Sequence, residues 1–478
     1  MRQLYLAVAL PRITYGIDVW YLPPHKPPGA TKNAGSVSAL RSLQKIQRIA
    51  TLAITGGLRS TPTDLLDAHA GVLPLELALS KACHRATVRL LTLPTAHPLF
   101  QVIKQAKRTP PKRHQSPIDF LLASLKLRTT NMEVVNPVGQ ALYQLPRFKT
   151  RIPATRELSI EEEGLDQADF KVFSDGSGQE GRIGAAAVIY KKGRSAPLRH
   201  LKAYLGPSTK HNTYEGEAVG GLLANWLIHR TPGTSFRSVS VYIDNQPLIK
   251  SAVKTGAWSG QHLVRAFADM LDNSRAKVTI RWISSHSEVK GNEEADKLAK
   301  EAAAGKASRR EDLPPLLRKT LPTSASATKQ EYAEQLKTKW KDMWLTSPRR
   351  QRFERIDEAF PFTKFRKRQE QLSREQASLL MQVRSGHIPL NSFLFRIGKS
   401  DTRICQACDG EQGQEAAPET VDHFLFHCRA HSAQRQILAR AIGRNNMNLK
   451  DAMLTTKRIV ALLSYIKKTG RLKNERRQ

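Results

Sequence analysis

Four carboxylates far apart in the chain, Asp175, Glu217, Asp244 and Asp296, and one imidazole, His286, sit in contexts where they could do chemistry together. A lone acidic side chain is most often solvated or caps a helix, but several converging carboxylates repel one another unless a divalent cation neutralises them. Hard oxygen ligands suit Mg²⁺ or Mn²⁺. On a strongly basic chain they also suit a phosphodiester substrate, with two ions ~3.5–4 Å apart clamping the attacking and departing oxygens. The expected reaction is hydrolysis without a covalent enzyme intermediate. A second constellation reads Cys405-x2-Cys408-x14-His423-x4-Cys428, in which two hairpin thiols and a downstream His/Cys pair can surround one tetrahedral Zn²⁺. Four protein ligands leave no open position, so this zinc would be structural. His427 is an alternative ligand to His423, since the two share a helical face.

The acidic residues depend on a set of strands and helices that begins near residue 168. Phe170–Asp175 is a short apolar strand stopped by Gly176-Ser177-Gly178, and Ile183–Tyr190 is a second strand. A third lies near Leu201–Leu205, a fourth at Val239–Asp244 and a fifth at Lys277–Ser284. Tyr214–His229 is helical, with Ala218, Gly221 and Ala224 allowing close approach to a sheet. Gln261–Asn273 and Asn292–Ala304 are further helices. An opening meander followed by alternation predicts a mixed five-stranded sheet flanked by helices. Asp175 and Asp244 then end strands and His286 follows one, outside the carboxyl ends where open sheets bind ligands.

At these residues the chain resembles the ribonuclease H family. The likeness rests on Phe173-Ser174-Asp175-Gly176-Ser177, Asn212-Thr213-Tyr214-Glu215-Gly216-Glu217, Ile243-Asp244-Asn245, Ser285-His286-Ser287 and Gly291-Asn292-Glu293-Glu294-Ala295-Asp296, over 168–305. It implies that Asp175, Glu217, Asp244 and Asp296 bind two Mg²⁺ (or Mn²⁺) ions, and that His286, on a mobile loop, assists proton transfer or product release. Glu217 fits the family position better than Glu215, because it precedes the apolar helical run. RNA within an RNA–DNA hybrid is the implied substrate, since the 2′-hydroxyl is both discriminator and hydrogen-bonding handle. Gly176, Ser177, Gly178, Asn212, Asn245 and Asn292 are the implied substrate contacts. Alternatively, the glycines merely make a turn and Asn212 merely caps the following helix.

The flanks resemble another family. Leu4–Arg12 through Tyr21, and Leu43-Gln44-Lys45-Ile46-Gln47-Arg48 through Thr63, are similar to the end of a non-LTR retrotransposon reverse transcriptase. Arg384-Ser385-Gly386-His387-Ile388-Pro389-Leu390-Asn391, leading into the cysteine/histidine motif, resembles the tail of such elements, notably fungal ones. A polymerase needs a paired aspartate on its palm, and the chain has no Asp-Asp dipeptide. Met1 is therefore expected to follow the palm, and no polymerisation is expected from this polypeptide. Leu40, Leu43, Ile46, Ile49 and Leu52 mark an amphipathic helix at 36–56 whose apolar stripe would have packed on an absent domain. A second helical stretch covers 74–92.

Charge supports a polyanionic partner. The 478 residues carry 76 Lys+Arg against 42 Asp+Glu, a net +34, and the excess is distributed rather than confined to a tail. Such a field attracts nucleic acid, although acidic lipid surfaces respond to it too. Arg349-Arg350-Gln351-Arg352 and Lys364-Phe365-Arg366-Lys367-Arg368 look like phosphate-contacting stretches. No charge-free run of ~18 apolar residues occurs and the N-terminus lacks a secretory layout, so no membrane partner, no secretion and a nuclear or cytoplasmic location are expected. Four cysteines exclude a disulfide scaffold.

The expected organisation is a helical remnant at 1–95, a linker at 96–167, the ribonuclease H domain at 168–305, a basic helical linker at 306–375 and a zinc-binding region at 376–478. The favoured function is a metal-dependent endonuclease of RNA–DNA hybrids, acting with retroelement RNA or a separate polymerase chain as further partners. A nonenzymatic nucleic-acid-binding remnant of a retroelement is the alternative; a nuclease or strand-transfer enzyme on the same fold is a third.

Overall fold

Six strands make one mixed sheet: β1 (Lys149–Arg151), β2 (Phe170–Gln179), β3 (Arg182–Lys191), β4 (Arg199–Pro207), β5 (Ser238–Ile243) and β6 (Lys277–Trp282), in the order β1-β6-β5-β2-β3-β4. β2, β3 and β4 pair antiparallel, whereas β2, β5, β6 and β1 run parallel. The computed structural model describes residues 1–27, 29–106, 117–124, 131–138, 146–254, 256–285, 288–408 and 417–472. Five helices accompany the sheet: α1 (Arg156–Gly164), α2 (Thr213–Arg230), α3 (Gln246–Val253), α4 (Gln261–Asp272) and α5 (Lys290–Ala303).

The period of two along each strand sorts the core into two layers. Phe170, Val172, Ala185, Ala187, Val241 and Ile243 face α2, α3 and α4, where Leu222, Leu223, Ile249, Val264 and Phe267 meet them. Phe173, Ala186, Val188 and Tyr242 point the other way, onto Ala295, Leu298 and Ala299 of α5. Burial on both faces explains why these strands read as apolar runs rather than as alternation.

Two expectations are corrected. The sheet has six strands rather than five, because β1 is a three-residue exposed edge, Lys-Thr-Arg, too short and polar to show a periodicity. The glycines after Asp175 do not stop β2. Gly176, Ser177 and Gly178 stay in the ladder opposite Ala185, Gly184 and Ile183. Gly176 marks close backbone approach, as glycines inside strands often do. A Cβ on Gly176 would lie 2.2 Å from the Glu217 backbone nitrogen, and one on Gly184 2.2 Å from that of Ala303. One glycine seats α2 and the other seats α5. Gly176→Ala is therefore expected to cost about 3 kcal/mol, since backbone rather than a flexible side chain must move. Chemical denaturation measures this, and wild-type stability in that variant would refute the seating.

The strands belong to one compact unit, Cys83–Glu334; Met1–Ala82 and Gln335–Gln478 together form a second. The second unit is helical. Its Val37–Thr55 helix buries Leu40, Gln47, Thr51 and Thr55, while Ile46 and Ile49 are exposed. Residues three apart drift by about 60° per step around a helix of 3.6 residues per turn, so the stripe winds off the buried face. Gln47 is buried because it is satisfied: it accepts from Tyr5 Oη (2.8 Å) and donates to Asp67 Oδ1 (3.1 Å) and the Leu73 carbonyl (3.0 Å). Arg384 is buried as well, donating to His69 Nε2 and Asp357 Oδ2 (both 2.9 Å) with the Phe365 ring 4.1 Å from its guanidinium carbon. Among the described residues no helix is long and apolar enough to cross a membrane.

Candidate active site

The last parallel rung between β2 and β5 joins Ser174 to Ile243, and the next residue on each strand is an aspartate. Register and pleat thus place Asp175 and Asp244 side by side, on the face that carries α5. Glu217 arrives from the opposite layer. It can do so because Gly176 has no side chain and lets the first turns of α2 rest on β2. One carboxylate oxygen each from Asp175, Glu217 and Asp244 lies within 4.8 Å of the others.

These acids are destabilised by what surrounds them. Burial, then the charges of Asp244 and Asp296, push the Asp175 carboxyl up to about 7. Burial, then Asp244 and Asp175, drive Glu217 well above the usual carboxylate range. Among the described residues the Glu217 Oε2 atom is buried without a hydrogen-bond partner. A buried unpartnered oxygen among like charges is costly in a protein that never binds a cation, and fits one that does. The fourth carboxylate, Asp296 of α5, is near enough to raise Asp175 and is restrained by Lys300 Nζ at 2.6 Å. Asp244 is held by Ser285 Oγ, which donates to its Oδ2 at 2.8 Å, while Trp282 Nε1 donates to its backbone carbonyl at 3.0 Å.

Glu215 and Glu217 separate cleanly. Glu215 closes a capping box, its backbone N–H donating to Asn212 Oδ1 (2.9 Å) and its Oε2 accepting from the Asn212 N–H (3.1 Å). Asn212 thus caps α2, and Asn245 likewise caps α3, accepting from the Leu248 N–H at 3.0 Å. Asn292 is buried in the first turn of α5, its Oδ1 without a partner among the described residues. Past Ser174, β2 runs on to Gln179 beyond its pairing with β5, so Gly176, Ser177 and Gly178 lie beside the acids. His286 lies outside the described residues. Sequence reasoning gave no role to Ser285 or Lys300; the only available signal was adjacency to His286 for the first and an i,i+4 spacing from Asp296 for the second.

The cysteine/histidine motif closes on itself in the helical unit. Sγ of Cys405 and Cys428 are 3.9 Å apart, those of Cys408 and Cys428 3.3 Å, and Cys408 Sγ is 3.6 Å from His423 Nε2. A tetrahedron with ~2.3 Å arms has edges of about 3.8 Å, so the donor set fits one Zn²⁺. His427 instead pairs with Asp422 (3.1 Å) at the surface. Behind the cluster, Glu419 accepts from the Asn391 N–H (2.6 Å) and from Arg471 (2.7 Å to each oxygen), and Asn391 Nδ2 donates to the Ile404 carbonyl (2.8 Å) beside Cys405.

Residues 167–304 match the RNase H family model. No curated protein matches the chain. Among solved structures, the chain is similar to the N-terminal RNase H domain of rv2228c from Mycobacterium tuberculosis (14% identity, TM-score 0.24, 28% of this chain and 98% of that one). It is also similar to RNase H1 from the halophilic archaeon Halobacterium salinarum NRC-1 (18%, TM-score 0.23, 28% and 98%). LC11-RNase H1, solved in complex with an RNA/DNA hybrid, is a third (14%, TM-score 0.24, 28% and 97%).

Proposed function

We propose that the 167–304 domain makes this protein a metal-dependent endonuclease that hydrolyses the RNA strand of RNA–DNA hybrids, and that the whole chain derives from a non-LTR retrotransposon. The observation that carries the hydrolytic reading is the convergence of Asp175, Glu217 and Asp244 within 4.8 Å at adjacent strand ends, in a segment that matches the RNase H family model. Asp175, Glu217, Asp244 and Asp296 would hold two Mg²⁺ or Mn²⁺ ions. Divalent cations there supply Lewis-acid activation of water and neutralise charge on the departing oxygen.

The chain's own residues do the positioning. Ser285 fixes one oxygen of Asp244 and Lys300 fixes one of Asp296, so two carboxylates keep a set direction. The Gly176–Gly178 backbone, with Asn212, Asn245 and Asn292 around it, would contact the hybrid. His286 would take up or deliver the proton that hydrolysis moves. Cys405, Cys408, His423 and Cys428 would bind a structural Zn²⁺.

The test is cleavage of labelled RNA–DNA hybrid, compared with RNA–RNA and DNA–DNA duplexes, in Mg²⁺ or Mn²⁺, with Asp244→Asn as the control. Hybrid-selective cleavage lost in Asp244→Asn supports the proposal. Tight, salt-sensitive hybrid binding without cleavage by the wild type would replace it with the nonenzymatic reading.

A further inference from the structure

The helical unit concentrates positive charge at a point unrelated to the acidic cluster. The Arg374–Ser385 helix ends at Gly386, whose φ is +72°. The Arg352 guanidinium lies so close over that glycine that a Cβ there would come within 2.3 Å of it. The next residue, His387, sets its ring 5.1 Å from that of Phe393 and its Nδ1 3.2 Å from Ser60 Oγ. Arg396, one helical turn beyond Phe393, stacks on the same ring with its guanidinium carbon 5.2 Å from the centroid. Arg349 lies in the same field, its Nη1 3.1 Å from Asp64 Oδ2.

Arg352 and Arg396 therefore lie against the two residues that flank the imidazole, Gly386 and Phe393. Burial, then Arg396, Arg352 and Arg349 in that order, hold His387 down to about 4. It is thus neutral near pH 7, a hydrogen-bonding group rather than another cation. Asp64 compensates only Arg349 and is shared with Ser347, whose Oγ donates to it at 2.7 Å. Among the described residues, Arg352 and Arg396 have no ion-pair partner, and both are exposed. Like charges gathered by ring stacking and a glycine, rather than by counter-charges, are relieved by an incoming anion. Guanidinium forks match phosphate oxygens in particular.

The neighbours of Arg396 narrow the ligand. Phe395 is 49% exposed. An exposed ring next in the chain to a phosphate-matching arginine is what an unpaired base stacks on, whereas a duplex keeps its base faces covered. A lipid headgroup would satisfy the cations but leave the ring unused.

We propose that Arg349, Arg352, Arg396 and His387 form a phosphate-binding site for single-stranded nucleic acid, with Phe395 as the stacking surface for an unpaired base. This site lies outside the hydrolytic centre and does not require that centre to be active. It would give the protein a hold on a strand that it is not cutting.

The test is fluorescence anisotropy of a labelled single-stranded DNA with the full chain across a salt series. Arg352→Ala/Arg396→Ala should bind at least tenfold more weakly, with a log K against log salt slope shallower by about 1.4, or ~0.7 for each phosphate no longer neutralised. Phe395→Ala should lose about fivefold with the slope unchanged. The exposed pair Lys364→Ala/Lys367→Ala serves as the charge control and should lose less than the arginine pair. Arg396→Lys, which keeps the charge but not the fork, should fall between wild type and Arg396→Ala and guards against a folding artefact. Equal losses in the lysine and arginine pairs would overturn the site. So would an intact Phe395→Ala affinity combined with displacement by inorganic phosphate, or arginine dependence seen only on phosphatidylserine vesicles. A wild type that cleaves nothing but binds single strands in this residue-dependent way would sink the hydrolytic proposal and leave this one standing.

Discussion

Asp175→Asn should abolish hybrid cleavage and at the same time make the metal-free protein more stable. Loss of one anionic ligand from the proposed divalent-cation site should lower the rate by on the order of 10³-fold or more. The stability change has the opposite sign because, without cations, the wild type buries a carboxylate beside Glu217 and Asp244. Asn keeps the shape and removes a charge, for a gain of roughly 1–3 kcal/mol. The pH dependence follows from the same burial and repulsion. The Asp175 carboxyl stands at about 7 in the fold, against ~3.9 in an unfolded chain. A carboxyl raised by folding favours the folded state while protonated, so its contribution is full below about pH 4 and is lost as pH rises to about 7. Metal-free wild type should therefore lose stability relative to Asp175→Asn across that window, with the gap constant above it. Mg²⁺ or Mn²⁺ should reverse the order by stabilising the wild type more than the variant. Thermal denaturation at several pH values, with and without the cation, measures this; a variant less stable than metal-free wild type at pH 8 would contradict the repulsion.

How much of this was legible in the sequence depends on whether a residue acts through its neighbours in the chain or across the fold. Asp175 and Asp244 were legible because each ends an apolar run that reads as a short strand, and the parallel register of β2 and β5 sets them side by side. Choosing Glu217 over Glu215 rested on the apolar helical run; Glu215 is taken up in a capping box, while Glu217 lies near Asp175 and Asp244. Gly176 was seen but given the wrong task. A glycine that ends a strand and one that admits a crossing helix look alike in one dimension, and only the packing of α2 separates them. The edge strand β1 left no trace because its three exposed polar residues, paired to β6, show no periodicity. The stripe on Val37–Thr55 failed for a related reason: Gln47 is polar by type but fully satisfied in its pocket, so the buried face is not the most apolar one. The convergence of Arg352 and Arg396 on His387 lay beyond reach too, since Arg352 is far from the other two in the chain and no periodic element links all three.

Removing zinc should unfold much of the region around Cys405–Cys428, a larger effect on stability than any side-chain truncation in the sheet domain. Binding of a structural Zn²⁺ by four such ligands is worth roughly 10–16 kcal/mol at neutral pH, comparable to the whole stability of a typical domain. The described part of this segment is otherwise held by the buried Phe424, Leu425 and Phe426, by Tyr465 Oη and Arg435 donating to the Phe424, Leu425 and Cys428 carbonyls, and by the Asn391–Glu419–Arg471 hydrogen bonds behind them. Cys428→Ser and His423→Ala should each lose zinc, and proteolysis should then cut near Arg403 and Arg435. His427→Ala should keep zinc and protease resistance, because His427 points to Asp422 instead. Burial pushes the metal-free Cys428 thiol up to about 12, so the ion must displace a tightly held proton, and zinc affinity should climb with pH through the neutral range. Zinc content by atomic absorption, the charge-transfer band of the Co²⁺-substituted protein and limited proteolysis read these outcomes independently of cleavage. If the chelated chain melted at the same temperature as the zinc-loaded one, the four ligands would be a coincidence of packing, and the buried side chains and hydrogen bonds would be holding the segment without an ion.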